Sequence, residues 1–291
     1  MSRRPPTDPP HADLFGDAAC VPAARPGLLF GDDPAWAFAD APTDAAGAPG
    51  AAVAHAARPP LPAAWAAEAR AADEPARAAA ATALVDQAAC TPVAPGAVLL
   101  PGLLTPLAGA LAAVLRPLLW QAPLRHLRTP GGGRMAVATS NAGALGWLSD
   151  ARGYRYASQD PLSGRPWPPL PALLDAIARA AAARAGFPGF APDAVLVNLY
   201  RPGVGLGLHQ DRDERDAAWP IVSASLGLPA RFRLGGLRRD APTQELVLQH
   251  GDLLVFGGPA RRCFHGVRPL AAGHHPWAGE HRLNLTFRRA G

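Results

Sequence analysis

The sequence has no lysine, few cysteines and no long apolar run. All 28 basic residues are arginine, which together with the excess of alanine and proline indicates the coding bias of a GC-rich genome. The three cysteines, Cys20, Cys90 and Cys263, are widely spaced, which argues against a disulfide framework and fits a reducing cytosol. No stretch of about 18 or more apolar residues predicts a membrane span. The charged, proline-rich start also lacks the apolar segment of a secretory signal, so we expect a cytoplasmic protein without a membrane partner.

Charge is distributed unevenly along the chain. Residues 1–92 hold 6 arginines and 11 acidic residues, a net charge of −5, whereas residues 93–291 hold 22 arginines and 12 acidic residues, a net charge of +10. Arginine binds phosphate oxygens bidentately, so the second part of the chain suits a polyanionic partner.

The first 92 residues are rich in alanine and proline and poor in β-branched residues. We expect residues 1–92 to be a low-complexity, largely disordered leader, with a transient helix over 62–85 favoured by alanine alone. Two apolar islands, Leu14-Phe15 and Leu28-Leu29-Phe30, are too short to form a core. The ordered domain is predicted to span residues 93–291.

Two helices and a series of short strands are predicted in that domain. Thr105 is expected to cap a helix that reaches Trp120 and is kinked or ended by Pro117. A second helix is predicted over Pro171–Ala185. Strands are predicted at Ala97–Leu100, Val195–Tyr200, Ile221–Leu226, Arg231–Leu234, Glu245–Leu248, Leu253–Phe256 and His281–Arg288. Many short strands after helices favour an α+β fold, a jelly roll (double-stranded β-helix) buttressed by the N-terminal helices.

His209, Asp211 and His265 are the candidate metal ligands. Residues two apart on an extended segment face the same side, so His209 and Asp211 can reach one ion. His265, which lies 54 positions beyond Asp211, would complete two histidines and a carboxylate, a set that binds iron(II) and leaves open positions. The other histidines are weaker candidates: His274-His275 are expected in a solvated loop and His250 in a structural turn.

The last predicted strand suggests a co-substrate. Its apolar residues alternate with Arg282, Asn284, Thr286 and Arg288, and two arginines on one side of a strand repel unless an anion lies between them. A dicarboxylate such as 2-oxoglutarate fits, with one end on the metal and the other paired with an arginine. Asn198 and Tyr200 share one face of an earlier strand and offer further hydrogen bonds. The alternative is a solvent-facing strand whose arginines serve solubility.

Several motifs together resemble the AlkB family of Fe(II)- and 2-oxoglutarate-dependent dioxygenases. The resemblance covers roughly residues 95–291. Its motifs are Thr129-Pro-Gly-Gly132, Leu145-Gly-Trp147, Gly153-Tyr-Arg-Tyr156, Asp160-Pro161, the segment from Asn198 through His209 and Asp211 to Glu214, Pro220–Pro229, His250–Gly258, Phe264-His265-Gly266 and Arg282–Arg288.

The resemblance implies a role for each of fourteen residues. His209, Asp211 and His265 would bind and position the catalytic iron. Asn198, Tyr200, Arg282, Asn284 and Arg288 would hold 2-oxoglutarate, with Arg282 on the distal carboxylate and Arg288 near the metal. Trp147, Tyr154, Arg155, Tyr156, Asp213 and Arg239 would contact the substrate base or its strand. Without the resemblance, Trp147 would be read as a core residue and Asp213 as a solvated loop charge.

The implied activity is oxidative demethylation of bases such as 1-methyladenine and 3-methylcytosine, with O2 as second co-substrate and formaldehyde released. The expected partner is alkylated single- or double-stranded DNA, with RNA as a further candidate, and the expected state is a monomer. Two alternatives stay open: a 2-oxoglutarate oxygenase acting on RNA or protein, and a catalytically silent nucleic-acid-binding module. A cupin-like metal isomerase or hydrolase is a third, but it would not need the Arg282–Arg288 face.

Overall fold

A computed structural model describes residues 29–30, 37–38 and 60–291 of the protein. Helices precede most of the strands in the described part of the chain. The helices are α1 (Ala63–Ala72), α2 (Pro75–Asp86), α3 (Ala108–Gln121) and α4 (Ala172–Arg184). The strands are β1 (Thr91–Ala94), β2 (Ala97–Leu100), β3 (Ala138–Gly143), β4 (Gly146–Asp150), β5 (Gly153–Ala157), β6 (Ala194–Tyr200), β7 (Leu206–His209), β8 (Ile221–Gly227), β9 (Ala230–Leu234), β10 (Gln244–Leu248), β11 (Leu253–Phe256), β12 (His265–Val267) and β13 (Arg282–Arg288).

The end of the alanine-rich leader is folded. Helix α1 packs on α3 and α2 packs on α4, and Ala72, Ala81 and Val85 are buried in the main core. The helix expected over 62–85 is present as two packed helices, so disorder does not describe residues 60–92, and the predicted boundary after residue 92 falls inside β1. Small alanine side chains let helices approach closely, but the partner surfaces come from α3 and α4, which local composition does not reveal.

One of the two apolar islands also joins the core. Leu29 and Phe30 are buried, and the Leu29 amide donates a hydrogen bond of 2.7 Å to the Trp277 carbonyl. A short apolar island thus contributes to the core by packing on distant elements. The Leu14-Phe15 island lies outside the described residues.

The first predicted helix begins later than expected and is not ended by proline. Residues Thr105–Leu107 form a 3₁₀ turn, and α3 follows from Ala108. Thr105 does not cap α3, whose N-cap is Leu107; its hydroxyl instead donates to the His250 carbonyl at 3.3 Å. Pro117 lies inside α3 and is buried, so burial against the core outweighs its missing amide hydrogen bond.

Helix α4 confirms the second helix prediction to within one residue at each end. Gly186 follows it at φ +92°, a left-handed conformation that glycine adopts without steric cost and that commonly ends helices. The described residues contain no helix long and apolar enough to cross a membrane.

Two antiparallel sheets form the jelly roll, as predicted. The major sheet has the order β1-β2-β11-β8-β13-β6-β3 and the minor sheet has the order β10-β9-β12-β7. The remaining strands, β4 and β5, pair only with each other as a hairpin. All seven predicted strands exist, whereas β1, β3, β4, β5, β7 and β12 were not predicted because they are short or carry few apolar side chains.

The major sheet buries both faces. On one face Leu283, Leu285 and Phe287 of β13 pack in the cluster that includes the helices. On the other face a second cluster joins Phe256 to Phe232 across the two sheets. Because side chains alternate along a strand, the polar set of β13 points into the space between the sheets, where the site lies.

Candidate active site

The topology brings the three predicted metal ligands together. His209 ends β7 and His265 begins β12, and these strands pair so that the two histidines lie directly opposite each other. Asp211 follows His209 after one residue. One of its carboxylate oxygens lies 3.7 Å from Nε2 of His209, and the other lies 3.9 Å from Nε2 of His265. One ligand atom from each of the three residues lies within 4.8 Å of the other two, so the set can bind one ion.

Backbone carbonyls orient both imidazoles. Nδ1 of His209 lies 2.9 Å from the Gly207 carbonyl oxygen, and Nδ1 of His265 lies 3.0 Å from that of Cys263. A carbonyl oxygen only accepts, so each Nδ1 carries the proton and each Nε2 presents a lone pair. A fixed tautomer of this kind is usual for metal-binding histidines.

The charge state of the triad also suits a cation. Burial alone would raise the pKa of Asp211, but the guanidinium of Arg288 and the two histidines hold it well below its usual value. Burial lowers the pKa of His265 to about 4, which keeps the imidazole neutral near pH 7. A carboxylate and two imidazole nitrogens on one side of a cavity are the donor set that iron(II) oxygenases use.

Pairing of β13 with β6 builds the co-substrate wall. Arg282 is paired with Tyr200, and Asn284 with Asn198, so all four predicted side chains face the space between the sheets. Arg282 is 1% exposed, and only its Nη2 has a partner, the Ser225 hydroxyl at 2.9 Å. Its Nε and Nη1 are buried without a partner.

Unpartnered guanidinium nitrogens in a protein interior are costly. Burial accordingly lowers the pKa of Arg282. A carboxylate that enters the cavity would satisfy both nitrogens in a bidentate pair. This observation shows that the residues present fit a dicarboxylate such as 2-oxoglutarate.

Arg288 stands at the metal end of the same strand. Its Nη2 donates to an Asp211 carboxylate oxygen at 2.7 Å, and its contact with a co-substrate stays a prediction. Asn284 is less available than expected, because its amide donates to the Ser223 hydroxyl at 2.8 Å and to the Ala224 carbonyl at 2.9 Å. Its oxygen accepts from Thr286.

A cavity of about 610 Å³ lies between the two sheets and opens to the surface. Twelve of the fourteen predicted site residues line it, namely Trp147, Tyr154, Asn198, Tyr200, His209, Asp211, Asp213, Arg239, His265, Arg282, Asn284 and Arg288. The volume accommodates a small co-substrate together with a nucleobase.

The β4–β5 hairpin contributes an aromatic wall at the surface end of the cavity. The rings of Trp147 and Tyr154 stack with centroids 5.6 Å apart and an angle of 12°. Tyr154 is 51% exposed. Trp147 Nε1 donates to an Asp213 carboxylate oxygen at 2.7 Å, so Trp147 is a cavity residue rather than a core residue, and Asp213 is not a purely solvated charge.

Arg239 also lines the cavity. Its Nη1 donates to the Leu208 carbonyl at 2.7 Å, and its guanidinium lies 5.1 Å from the centre of the Phe264 ring. Both contacts hold the side chain beside the strand that ends at His209.

Arg155 and Tyr156 do not line this cavity. Nη1 and Nη2 of Arg155 donate to Asp150, at 2.8 and 2.6 Å. Burial raises the pKa of Tyr156 well above its usual value, and its hydroxyl donates to Glu214 at 2.8 Å. The two residues line a smaller neighbouring cavity of about 270 Å³, and their contact with a substrate stays a prediction.

Among the described residues, the other histidines do not join the triad. His250 Nδ1 accepts a hydrogen bond of 3.0 Å from the Gly227 amide, and its ring stacks on His275 at 4.5 Å. The structural interpretation of His250 is confirmed, whereas His275 is half-buried rather than fully solvated.

Sequence reasoning missed three polar residues of the site. Ser225 is the partner of Arg282, and Glu214 and Arg261 form a buried ion pair at 2.9 Å beside Asp211. Ser225 could have been found from the alternation of side chains along β8, because it lies on the same strand face as Ser223. Glu214 ends one of the family motifs, but no pattern in the sequence assigned it a role, because it follows three charged residues, Asp211, Arg212 and Asp213, in a segment typical of a solvated loop.

Comparisons with known proteins identify the relatives of this chain. The family profile of the 2OG-Fe(II) oxygenase superfamily matches residues 96–288. The chain is 51% identical to the alpha-ketoglutarate-dependent dioxygenase AlkB of Salmonella typhimurium over 199 residues, which cover 68% of this chain and 92% of that protein. It is 48% identical to AlkB of Escherichia coli over 200 residues, covering 69% and 93%.

More distant relatives extend the comparison. The mouse nucleic acid dioxygenase ALKBH1 is 35% identical over 123 residues, covering 42% of this chain and 31% of that protein. The solved structure of OsALKBH1 superposes with a TM-score of 0.60 at 28% identity, covering 69% of this chain and 100% of that chain. The chain therefore belongs to the 2OG-Fe(II) oxygenase superfamily and, within it, to the AlkB family of alpha-ketoglutarate-dependent dioxygenases, which use Fe(II), 2-oxoglutarate and O2.

Proposed function

We propose that this protein removes alkyl groups from damaged nucleic-acid bases by oxidation, with 1-methyladenine and 3-methylcytosine in DNA as substrates. The observation that carries the proposal is the arrangement of one cavity. Trp147 and Tyr154 offer a stacking surface near its mouth, and the triad of His209, Asp211 and His265 lies inside it. A base that stacks there would lie in the same cavity as the triad.

The residues divide into a metal set and a co-substrate set. His209, Asp211 and His265 would hold iron(II) through two Nε2 atoms and a carboxylate. Arg282 would pair with the distal carboxylate of 2-oxoglutarate, while Tyr200, Asn198 and Asn284 line its path and Arg288 stands near the metal. When bound, iron and 2-oxoglutarate supply the oxidation, in which O2 is consumed and the methyl carbon leaves as formaldehyde beside succinate and carbon dioxide.

The aromatic wall and its carboxylate suit a methylated base. A flipped base stacks on an aromatic ring with a gain of about 1–3 kcal/mol. Methylation of adenine N1 or cytosine N3 makes the base cationic, so the Asp213 carboxylate attracts it. The same methyl group blocks base pairing, which lowers the cost of extrusion from a duplex. Arg239 and Arg155 are proposed to contact a base edge or phosphate.

The charge of the chain supports a nucleic-acid partner. Residues 93–291 have a net charge of +10, and phosphate contacts dominate the affinity of such proteins for nucleic acid. We propose that the protein acts as a monomer in the cytoplasm on alkylated single- or double-stranded DNA, with RNA as a second substrate. We also propose that residues 93–291 are the catalytic part and that α1 and α2 buttress it.

The test is formaldehyde release from a methylated oligonucleotide. The protein is loaded anaerobically with iron(II) and 2-oxoglutarate, then mixed with O2 and single-stranded DNA that carries 1-methyladenine or 3-methylcytosine. We expect release from the unaltered protein, a fall to background in His209→Ala, and full release in His274→Ala, which alters an exposed histidine outside the triad. Equal release from His209→Ala would refute the metal assignment.

Matched substrates decide between the alternatives. Methylated RNA of the same sequence and a peptide are assayed beside the DNA. Faster turnover of RNA or peptide would replace DNA as the substrate class. Failure to bind iron(II) and 2-oxoglutarate in a titration would favour a silent binding module.

A further inference from the structure

Glu214 makes three contacts that no substrate or cofactor role explains. Its side chain is 3% exposed. One carboxylate oxygen accepts from the Tyr156 hydroxyl at 2.8 Å and lies 3.3 Å from Nε of Arg288. The other accepts from Nη2 of Arg261 at 2.9 Å.

The two arginines also hold the iron ligand. Arg288 donates to the Asp211 carboxylate at 2.7 Å, and Arg261 donates to the Asp211 main-chain carbonyl at 3.1 Å. Two carboxylates and two guanidiniums therefore form a neutral buried network, and burial makes each missing partner costly. When Asp211 directs its carboxylate to a metal, Glu214 still provides Arg288 with an anionic partner.

The third contact leads to the base side of the cavity. Tyr156 is paired with Trp147 across the β4–β5 hairpin. The residue whose hydroxyl donates to Glu214 therefore lies beside the stacking tryptophan. Trp147 in turn donates to Asp213, the neighbour of Glu214. The segment from Asp211 to Glu214 is thus tied to the metal side by two arginines and to the hairpin by two aromatic residues.

We infer that Glu214 is a positioning residue that sets the metal end of the co-substrate site and the base-stacking hairpin relative to each other. It acts through Arg288 and Arg261 on one side and through Tyr156 on the other. For the base, this inference rests on the proposed function. For the metal and co-substrate side, it rests on geometry alone.

Binding measurements without turnover test both halves. The dissociation constant of 2-oxoglutarate is measured calorimetrically with Mn(II) in the absence of O2, and that of a methylated single-stranded oligonucleotide by fluorescence anisotropy. Glu214→Gln keeps the shape but removes the charge, and we expect both dissociation constants to rise about tenfold, as for loss of a charged hydrogen bond. Tyr156→Phe removes only the link to the hairpin, and we expect only the oligonucleotide to bind less tightly, by about fivefold.

Ser149→Ala is the matched control. Its hydroxyl donates to the Arg128 carbonyl at 2.6 Å, so the variant removes one hydrogen bond from the same hairpin without touching Glu214. We expect some loss of stability and no change in either dissociation constant. The ratio of formaldehyde formed to 2-oxoglutarate consumed should fall in Glu214→Gln and Tyr156→Phe and stay unchanged in Ser149→Ala.

Distinct results separate the two proposals. An unaltered protein that binds 2-oxoglutarate but releases no formaldehyde from any nucleic acid would end the proposed function. Unchanged 2-oxoglutarate affinity in Glu214→Gln, or equal effects of Tyr156→Phe and Ser149→Ala, would overturn the role of Glu214. If Glu214→Gln does not fold, Arg261→Lys replaces it: weaker 2-oxoglutarate binding supports the role, and unchanged binding overturns it.

Discussion

The co-substrate wall and the base wall of the cavity are built differently. Strand β13 lies between β6 and β8 in a seven-stranded sheet, and all of its residues are buried. The β4–β5 hairpin has only two strands, and such a sheet is marginally stable by itself. It is held in place by side chains, including Asn141, whose amide pairs with the Trp147 backbone.

This difference matches the two ligands. A small dicarboxylate always presents the same groups, so a wall fixed by main-chain hydrogen bonds suits it. A base that belongs to a polymer has to enter and leave the cavity. A hairpin held by a few side-chain hydrogen bonds opens at a lower free-energy cost than a central strand of a sheet. We therefore expect substitutions in β13 to change co-substrate binding, and substitutions in the hairpin to change nucleic-acid binding.

The largest effect is expected for Arg282→Met. Loss of the bidentate pair should raise the dissociation constant of 2-oxoglutarate by about 100-fold, measured calorimetrically with Mn(II) and no O2. The ligand-free protein should gain on the order of 1 kcal/mol in free energy of unfolding, because a buried guanidinium with unpartnered nitrogens is removed. Arg179→Met, on the exposed surface of α4, should change neither quantity. A destabilised Arg282→Met protein would contradict this account of the wall.

Trp147→Ala should affect only the other wall. Loss of the stacking surface should weaken binding of a methylated oligonucleotide by about 10–100-fold, measured by anisotropy, and leave 2-oxoglutarate binding unchanged. Trp147→Phe keeps an aromatic ring but loses the hydrogen bond to Asp213, so an intermediate loss is expected. An equal loss of 2-oxoglutarate affinity would show that the walls are not independent.

Asn141→Ala tests the tether itself. The Asn141 amide donates to the Trp147 carbonyl at 3.1 Å, and its oxygen accepts from the Trp147 amide at 2.9 Å. Removing both bonds should cost about 1–3 kcal/mol and speed hydrogen exchange in β4 and β5 but not in β13. Exchange that rises equally in all three strands would indicate global destabilisation.

The smallest effect concerns pH and the structural turn at His250. Burial lowers the pKa of His250 to about 4, whereas in the unfolded chain it is about 6.5. Between these values the unfolded state binds a proton that the folded state does not, so stability should fall as pH drops from about 6.5 to 4. His250→Gln should reduce this slope in urea titrations. An unchanged slope would mean that other groups cause it.

Local patterns predicted the core strands and the ligand set. Arg282 and Asn284 were placed on one strand face because side chains alternate, and both line the cavity between the sheets. The chemistry of two histidines and one carboxylate pointed to iron, and the motifs around them pointed to the family. Helix α4 was bounded correctly because glycine and proline follow it directly.

Local patterns failed where a residue's environment comes from distant parts of the chain. Alanine-rich α1 and α2 looked like a solvated leader, yet they pack because α3 and α4 provide complementary surfaces. Glu214 reads as one more charge beside Asp213, yet it is buried between two arginines that come from positions 261 and 288.

The amino-acid sequence by itself determined which chemistry this protein can perform, because metal and carboxylate affinity reside in the side chains and their strand spacing. Only the tertiary structure decided that His209 and His265 face each other, that Arg282 has unpartnered nitrogens, and that Glu214 reaches Tyr156. The physical reason is that burial and pairing depend on which distant strands meet, and the free energy of a charge is set by those neighbours.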